Sequence, residues 1–216
     1  MTLNDNGDAN MNKLSTSLGL LFVVTAMTGC DITSAAVNQV VFTSYGSLSD
    51  EYERIQTADG GTALTAPSAL PTAGSAAYDG VINIIVQDGP LATDVLLSAV
   101  GNLELDVDFD DVFGSASASA YNFYRDDGTD AGVSVNGAGT FDGAINRAAV
   151  PGVTDTFVLG SGSGFDLDGN ELVGTLSGNF RDQSAPGAIP DGATGTVVGT
   201  VTSGPGSSFR GTWVVQ

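Results

Sequence analysis

The chain has 216 residues, 25 acidic against 6 basic side chains for a formal net charge of −19, 30 glycines, one cysteine and no histidine. That length suits one domain, or one domain and a tail, and the charge excludes nucleic acid, whose binding needs a basic footprint. Without histidine there is no Ser–His–Asp or Cys–His nucleophile system and no imidazole metal ligand, and a single thiol excludes an internal disulfide or a thiolate zinc cluster. Beyond Cys30 stand 23 acids, five arginines and no lysine, so Schiff-base chemistry is excluded there as well. The acidity leaves room for a cationic ligand or a basic protein patch, and it equally suits a solvated surface that keeps the chain soluble.

Residues 11–30 read MNKLSTSLGLLFVVTAMTGC: Lys13, then an apolar run from Leu18 to Met27, then the small residues Thr28 and Gly29 before Cys30. A charged start, a short apolar core and a small-residue cleavage site make a secretory signal, since a spanning helix needs about 20 apolar residues. Residues 1–10 carry Asp5 and Asp8 and no basic residue, which makes Met11 the better start of the leader. Met27-Thr28-Gly29-Cys30 resembles the lipobox of bacterial lipoproteins, with Met27 where that motif more often has Leu. The resemblance implies lipidation at Cys30 and an outer-membrane address, with the cell surface favoured over the periplasmic face. Several acyl chains tether a protein stably without any spanning segment. The alternative is an ordinary signal that happens to end in cysteine. The chain thus divides into a leader (1–29), a lipidated N-terminus with helix and linker (30–74) and a main domain (75–216).

SLSDEYERIQ (47–56) predicts a short helix with Ser49 as N-cap and acids in its first turn. Tyr45, Leu48, Tyr52 and Ile55 recur at spacings of three and four, one apolar stripe that packs on the domain and would plug one end of it. TADGGTALTAPSALPTAG, rich in Gly, Ala, Thr and Pro, reads as an extended linker.

From Ser75 the apolar period becomes two. In LELDVDF, Leu103, Leu105, Val107 and Phe109 face one way and Glu104, Asp106 and Asp108 the other. Leu172, Leu176 and Phe180 share a face with Gly174 and Gly178, and Phe209, Trp213 and Val215 share one with Gly211. Tyr121 and Phe123 are expected on one face and Tyr124 on the other. The pattern predicts eight strands, near 76–87, 100–109, 112–124, 133–147, 154–165, 171–181, 193–202 and 207–215, joined mostly by short turns. Short links between successive strands mean antiparallel neighbours. Closure removes exposed edges, and eight strands is the size at which side chains fill the interior. The fold class expected is therefore all-β, an eight-stranded antiparallel up-and-down β-barrel with a packed interior. A lipid-facing barrel would put Glu104, Asp106 and Asp108 inside a narrow lumen with few arginines to pair them, so a soluble barrel with an apolar core is favoured.

LPTAGSAAYDG (70–80), NLELDVDFDDVFGS (102–115), ELVGTLSGNF (171–180), GATGTVVGTV (192–201) and FRGTW (209–213), in that order, resemble the barrel domain of transferrin-binding-protein-like surface lipoproteins. The resemblance covers about residues 70–216 and rests on the order of weak Gly/Thr motifs. It implies an envelope lipoprotein whose barrel rim or helix side binds a protein or solute, in solute or iron acquisition. Two-lobed members carry a handle domain and long loops; this chain has neither, so transferrin binding is not carried over.

DLDGNE (166–171) places Asp166, Asp168 and Asn170 as weak calcium candidates, but Gly169 falls at the fourth position rather than the EF-hand's sixth, and a hairpin turn explains the stretch better. GSGSG (160–164) lacks the lysine and helix of a phosphate loop. Asp106 and Asp108 on a convex strand face offer no cleft for glycosidase chemistry. No metal, cofactor or enzymatic activity is expected. A structural envelope role, or a carrier with ligand in the lumen, are the other readings; the Leu-, Val- and Phe-filled inner face ranks the carrier last.

Overall fold

The alternation of LELDVDF and its counterparts closes on itself. The computed structural model describes residues 41–59, 63–89, 94–109, 114–147, 155–162, 164–181 and 183–216; the leader and Cys30 lie outside them. One helix, α1 (Tyr45–Asp59), precedes nine strand segments: β1 (Ser75–Gln87), β2 (Val95–Asp108), β3 (Ser115–Arg125), β4 (Ser134–Ile145), β5 (Phe157–Ser161), β6 (Phe165–Leu167), β7 (Asn170–Arg181), β8 (Gly192–Ser203) and β9 (Ser208–Val215). Apart from β5 and β6, successive strands pair antiparallel, and β9 returns to β1. Both β5 and β6 lie between β4 and β7, so they form one interrupted stave of a closed eight-stranded barrel. The single strand expected at 154–165 is thus two pieces, and β2 begins at Val95, earlier than the predicted residue 100.

The inner face is apolar. Leu103, Leu105, Val107, Phe109, Leu172, Leu176, Phe180, Phe209, Trp213 and Val215 all join one buried core, as the alternation requires. Thirty buried residues, drawn from every stave, pack that interior. The rings form two groups in tilted and edge-to-face contact: Phe109, Phe180, Phe157 and Trp213 follow one another at centroid distances of 5.7, 5.0 and 5.6 Å, and Phe165 meets Phe141 at 5.4 Å and Phe209 at 6.4 Å. Such large rings fit because small residues lie beneath them. A Cβ on Gly139 would run into the Phe165 ring, and one on Gly178 would run into Trp213 and the Thr194 carbonyl. Strand glycine here serves close approach, which is its usual meaning in a strand interior.

In β3 the alternation breaks. At β3 the register shifts between Val100 and Asn102 on the β2 side, with Asn122 at φ 53°. A bulge inserts one residue and re-aims the side chains beyond it. Phe123 therefore enters the core while Tyr121, opposite Asn102, stays on the outer wall; the two do not share a face as expected.

Before the barrel, the structure departs from expectation three times. The helix starts earlier: Ser44, not Ser49, is its cap, with Ser44 Oγ accepting from Ser47 N (3.3 Å) and Ser44 O from Leu48 N (3.1 Å). No acid occupies its first turn. The apolar stripe packs on the outside of the wall and does not plug an end: Leu48, fully buried, meets Val81 of β1 and Val100 of β2, with Phe42, Tyr45, Tyr52 and Tyr124 around them. Residues 63–74, expected as an open linker, supply the plug. Leu70 joins the core, Thr65 N donates to Phe180 O (2.8 Å), and Gln183 Nε2 donates to Ala69 O and Ala188 O (2.7 Å each). Arg147 closes the same end by donating to the carbonyls of Pro71 and Phe109. Tyr78 reaches it from β1, donating to Pro190 O (2.8 Å), and burial pushes its phenol well above the usual tyrosine range.

Candidate functional site

Asp166, Asp168 and Asn170 sit on the β6–β7 hairpin, and the chain uses each of them to build that turn. Asp168 (φ 53°) and Gly169 (φ 77°) are the two central residues, both left-handed as a tight hairpin between twisted strands requires. Asp166 Oδ1 accepts from Gly169 N (3.4 Å). Asp168 Oδ2 pairs with Arg125 (2.9 Å), which ties this hairpin to the end of β3. Asn170, only 2% exposed, donates to Leu167 O (3.1 Å) and accepts from Gly206 N (2.9 Å), fastening the β6–β7 turn to the β8–β9 turn. The three side chains point to three different partners and do not converge. Among the described residues, no three His, Cys, Asp or Glu side chains gather around a common point. Asp106 and Asp108 are exposed on the outer wall, with no opposed wall to make a cleft.

A different group does converge, at the seam between α1 and the barrel. Tyr45 Oη donates to Asp126 Oδ1 (2.6 Å), Asn83 Nδ2 donates to Asp126 Oδ2 (3.1 Å), and Tyr52 and Thr212 share a hydroxyl–hydroxyl bond of 2.6 Å. The hydrogen bond to Asp126 raises the Tyr45 phenol above its usual range, with burial and the carboxylate charge adding to it. Tyr45, Ser49, Tyr52, Asn83, Val100 and Asp126 line a cleft of about 60 Å³. That volume holds a few waters or the tip of one side chain, against the several hundred Å³ of a typical small-molecule pocket.

The seam is held in place by Asn102. It is 2% exposed although its side chain points out of the barrel, and it pairs with the backbone of Phe42 in both directions, accepting from its N–H (2.8 Å) and donating to its carbonyl (2.9 Å). An amide side chain presents one donor and one acceptor side by side, so it substitutes for a strand neighbour. Tyr124 Oη adds a bond to Thr43 O (2.7 Å). None of these residues stands out by motif. The available signal is a lone amide inside an apolar strand, Asn83 in VINIIV and Asn102 beside Val100, on a face otherwise left to solvent.

The outer surface is divided by charge. On β1–β4 it carries Asp79, Glu104, Asp106, Asp108 and Asp142, with Asp79 directly opposite Glu104. On β5, β7, β8 and β9 the outward side chains are Val, Thr, Ser, Asn and Gly, with Glu171 and Arg181 at the two ends of β7 and Arg210 on β9. No protein-family model, curated protein or solved structure matches the chain.

Proposed function

We propose that this is a lipid-anchored binding protein of the cell envelope, held in the outer membrane through Cys30 and working with the outside of a barrel like that of transferrin-binding-protein-like lipoproteins. The observation that carries the reading is the filled lumen: Trp213, Phe157, Phe165 and Phe180 are wholly or almost wholly buried in it, which favours a partner met on the exterior. The seam beside α1 is where polar groups converge on that exterior, and the surplus of carboxylates suits a partner that offers cationic groups. The resemblance sets this in solute or iron acquisition. A structural envelope role without a soluble ligand is the second reading, favoured by the small size of the cleft.

The test is protease shaving of intact cells followed by immunodetection, with Cys30→Ser as the unanchored control. Loss of the barrel without rupture of the outer membrane is the expected result for capture of an external partner. Protection until rupture would overturn the surface assignment and bring the structural reading forward.

A further inference from the structure

In a chain of net charge −19, one wall of the barrel has been kept free of acids. From Glu171 to Asn179 along β7, and across the paired stretches of β5, β8 and β9, no outward side chain is acidic beyond Glu171 itself. Val158, Val173 and Val198 are 48%, 45% and 50% exposed there, set among the hydroxyls of Thr175, Thr196 and Thr200. Strands about 4.8 Å apart and residues about 3.4 Å apart along them give this panel roughly 500 Å², the size of the largest functional patches on ordinary monomers. Two of its side chains are charged, Arg210 and Glu171. Both are exposed and neither side chain has a partner among the described residues, whereas Arg54, Arg125 and Arg147 are engaged.

We infer that this panel is the contact face between two copies of the chain, related by a two-fold axis near Thr200. The chemistry argues against other occupants. A sugar chain would want exposed aromatic rings, which the panel lacks, and an anionic lipid surface or polyanion would want several basic groups where there is one. A second copy needs neither. It presents the same Val and Thr surface, which packs as sheet faces do, and it presents the opposite charge for each unpartnered group. Arg210 lies opposite Val198, which lies opposite Thr175, and Glu171 is four residues along β7 from Thr175. Arg210 and Glu171 are therefore two strands and about 14 Å of strand apart, too far to pair within one copy. Thr200 sits between them, one strand from each. A two-fold axis there sets Arg210 of each copy against Glu171 of the other, so both pairs close together, as an isologous interface requires. The acidic wall of β1–β4 faces away, which keeps like charges apart. With roughly 500 Å² per copy against the ~800 Å² of a standard stable complex, the association is a weak and exchanging one.

The experiment is cross-linking of the purified full chain with a short bis-maleimide, because facing sheets lie about 10 Å apart and a direct disulfide would not span them. In a Cys30→Ser background, Thr200→Cys supplies a thiol at the axis and Ser117→Cys one on the acidic wall. A dimer band from Thr200→Cys and not from Ser117→Cys is expected. Adding Arg210→Glu should cut that band about tenfold, and adding Glu171→Arg to that chain should restore it. Far-UV circular dichroism checks that each variant is folded. Equal bands at the two positions, no band at Thr200→Cys, or no rescue by the charge exchange would each overturn the proposal; a folded chain with no band would leave the panel to a different protein.

Discussion

The walls on the two sides of this barrel share one inner face and differ outside. On β1 and β2 the outer residues Val81, Val100 and Asn102 are buried under α1 and the Phe42 backbone, and around that cover the wall is acidic. On β7 and β8 the outer residues Thr175, Val198 and Thr200 are bare and uncharged. Alternation tells inside from outside equally well on both. It says nothing about what lies on the outside, because that is supplied by chain from elsewhere in the sequence.

The two walls should respond differently to substitution. The largest effect is expected in the interior that both walls share. Trp213→Ala removes the side chain packed over Gly178 and should cost about 3–5 kcal/mol of global stability in urea unfolding, since the site cannot collapse around a missing indole. Leu48→Ala should cost about 2–4 kcal/mol, but locally: amides of α1 should exchange faster by hydrogen–deuterium exchange while those of β7 and β8 keep their protection. Equal loss of protection on both sides would mean that α1 is part of one cooperative unit with the barrel and not a separable cover.

Alkaline pH probes the plugged end. The Tyr78 phenol is raised by burial, so the folded state holds its proton where the unfolded chain gives it up. Stability is then fully present below about pH 10 and falls by about 1.4 kcal/mol for each pH unit above it, until the folded phenol itself titrates. Thermal unfolding between pH 8 and pH 11 should show this decline, and Tyr78→Phe should make it shallower, the remainder coming from the raised Tyr45 phenol. Asn102→Ala, which leaves the Phe42 N–H and carbonyl without partners, should cost about 1–2 kcal/mol, read as faster exchange at residue 42. The smallest effect concerns the acidic wall. Asp106→Asn relieves repulsion from Glu104 and Asp108 along the same strand face and should stabilise by a few tenths of a kcal/mol at low salt, the gain fading as salt screens it. Thr196→Asn on the neutral wall should show no such salt dependence.

Much of the barrel was legible because its signals are local. The Leu103–Phe109 alternation, the turn residues between strands and the glycines facing rings each constrain a few neighbouring positions, and eight staves follow from counting them. The β6–β7 hairpin was legible for the same reason, as Asp-Gly at a two-residue turn carries its own geometry. The errors fall where the outcome depended on distant partners. Ser44 caps α1 although Ser49 had the acids after it, because the helix must begin early enough to set Tyr45 against Asp126 and Leu48 against Val81. Tyr121 and Phe123 part company because β3 bulges at Asn122, which lets Phe123 fill the space over Gly101. The stretch TALTAPSALPTAG looked like a linker since it has no period, yet Leu70 and the Ala69 carbonyl are what the open barrel end needs.

Local pattern was enough for the number of staves, their closure and, away from the β3 bulge, the side chains that face in, since a period of two with short turns admits few other solutions. Composition also sets the net charge of −19. It took the folded barrel to bring Asn83, Asp126, Tyr45 and Tyr52 together, to keep Asp166, Asp168 and Asn170 apart, and to gather the acids away from one wall. Those are relations between residues tens of positions apart, set by register around a closed sheet, and no local pattern encodes them.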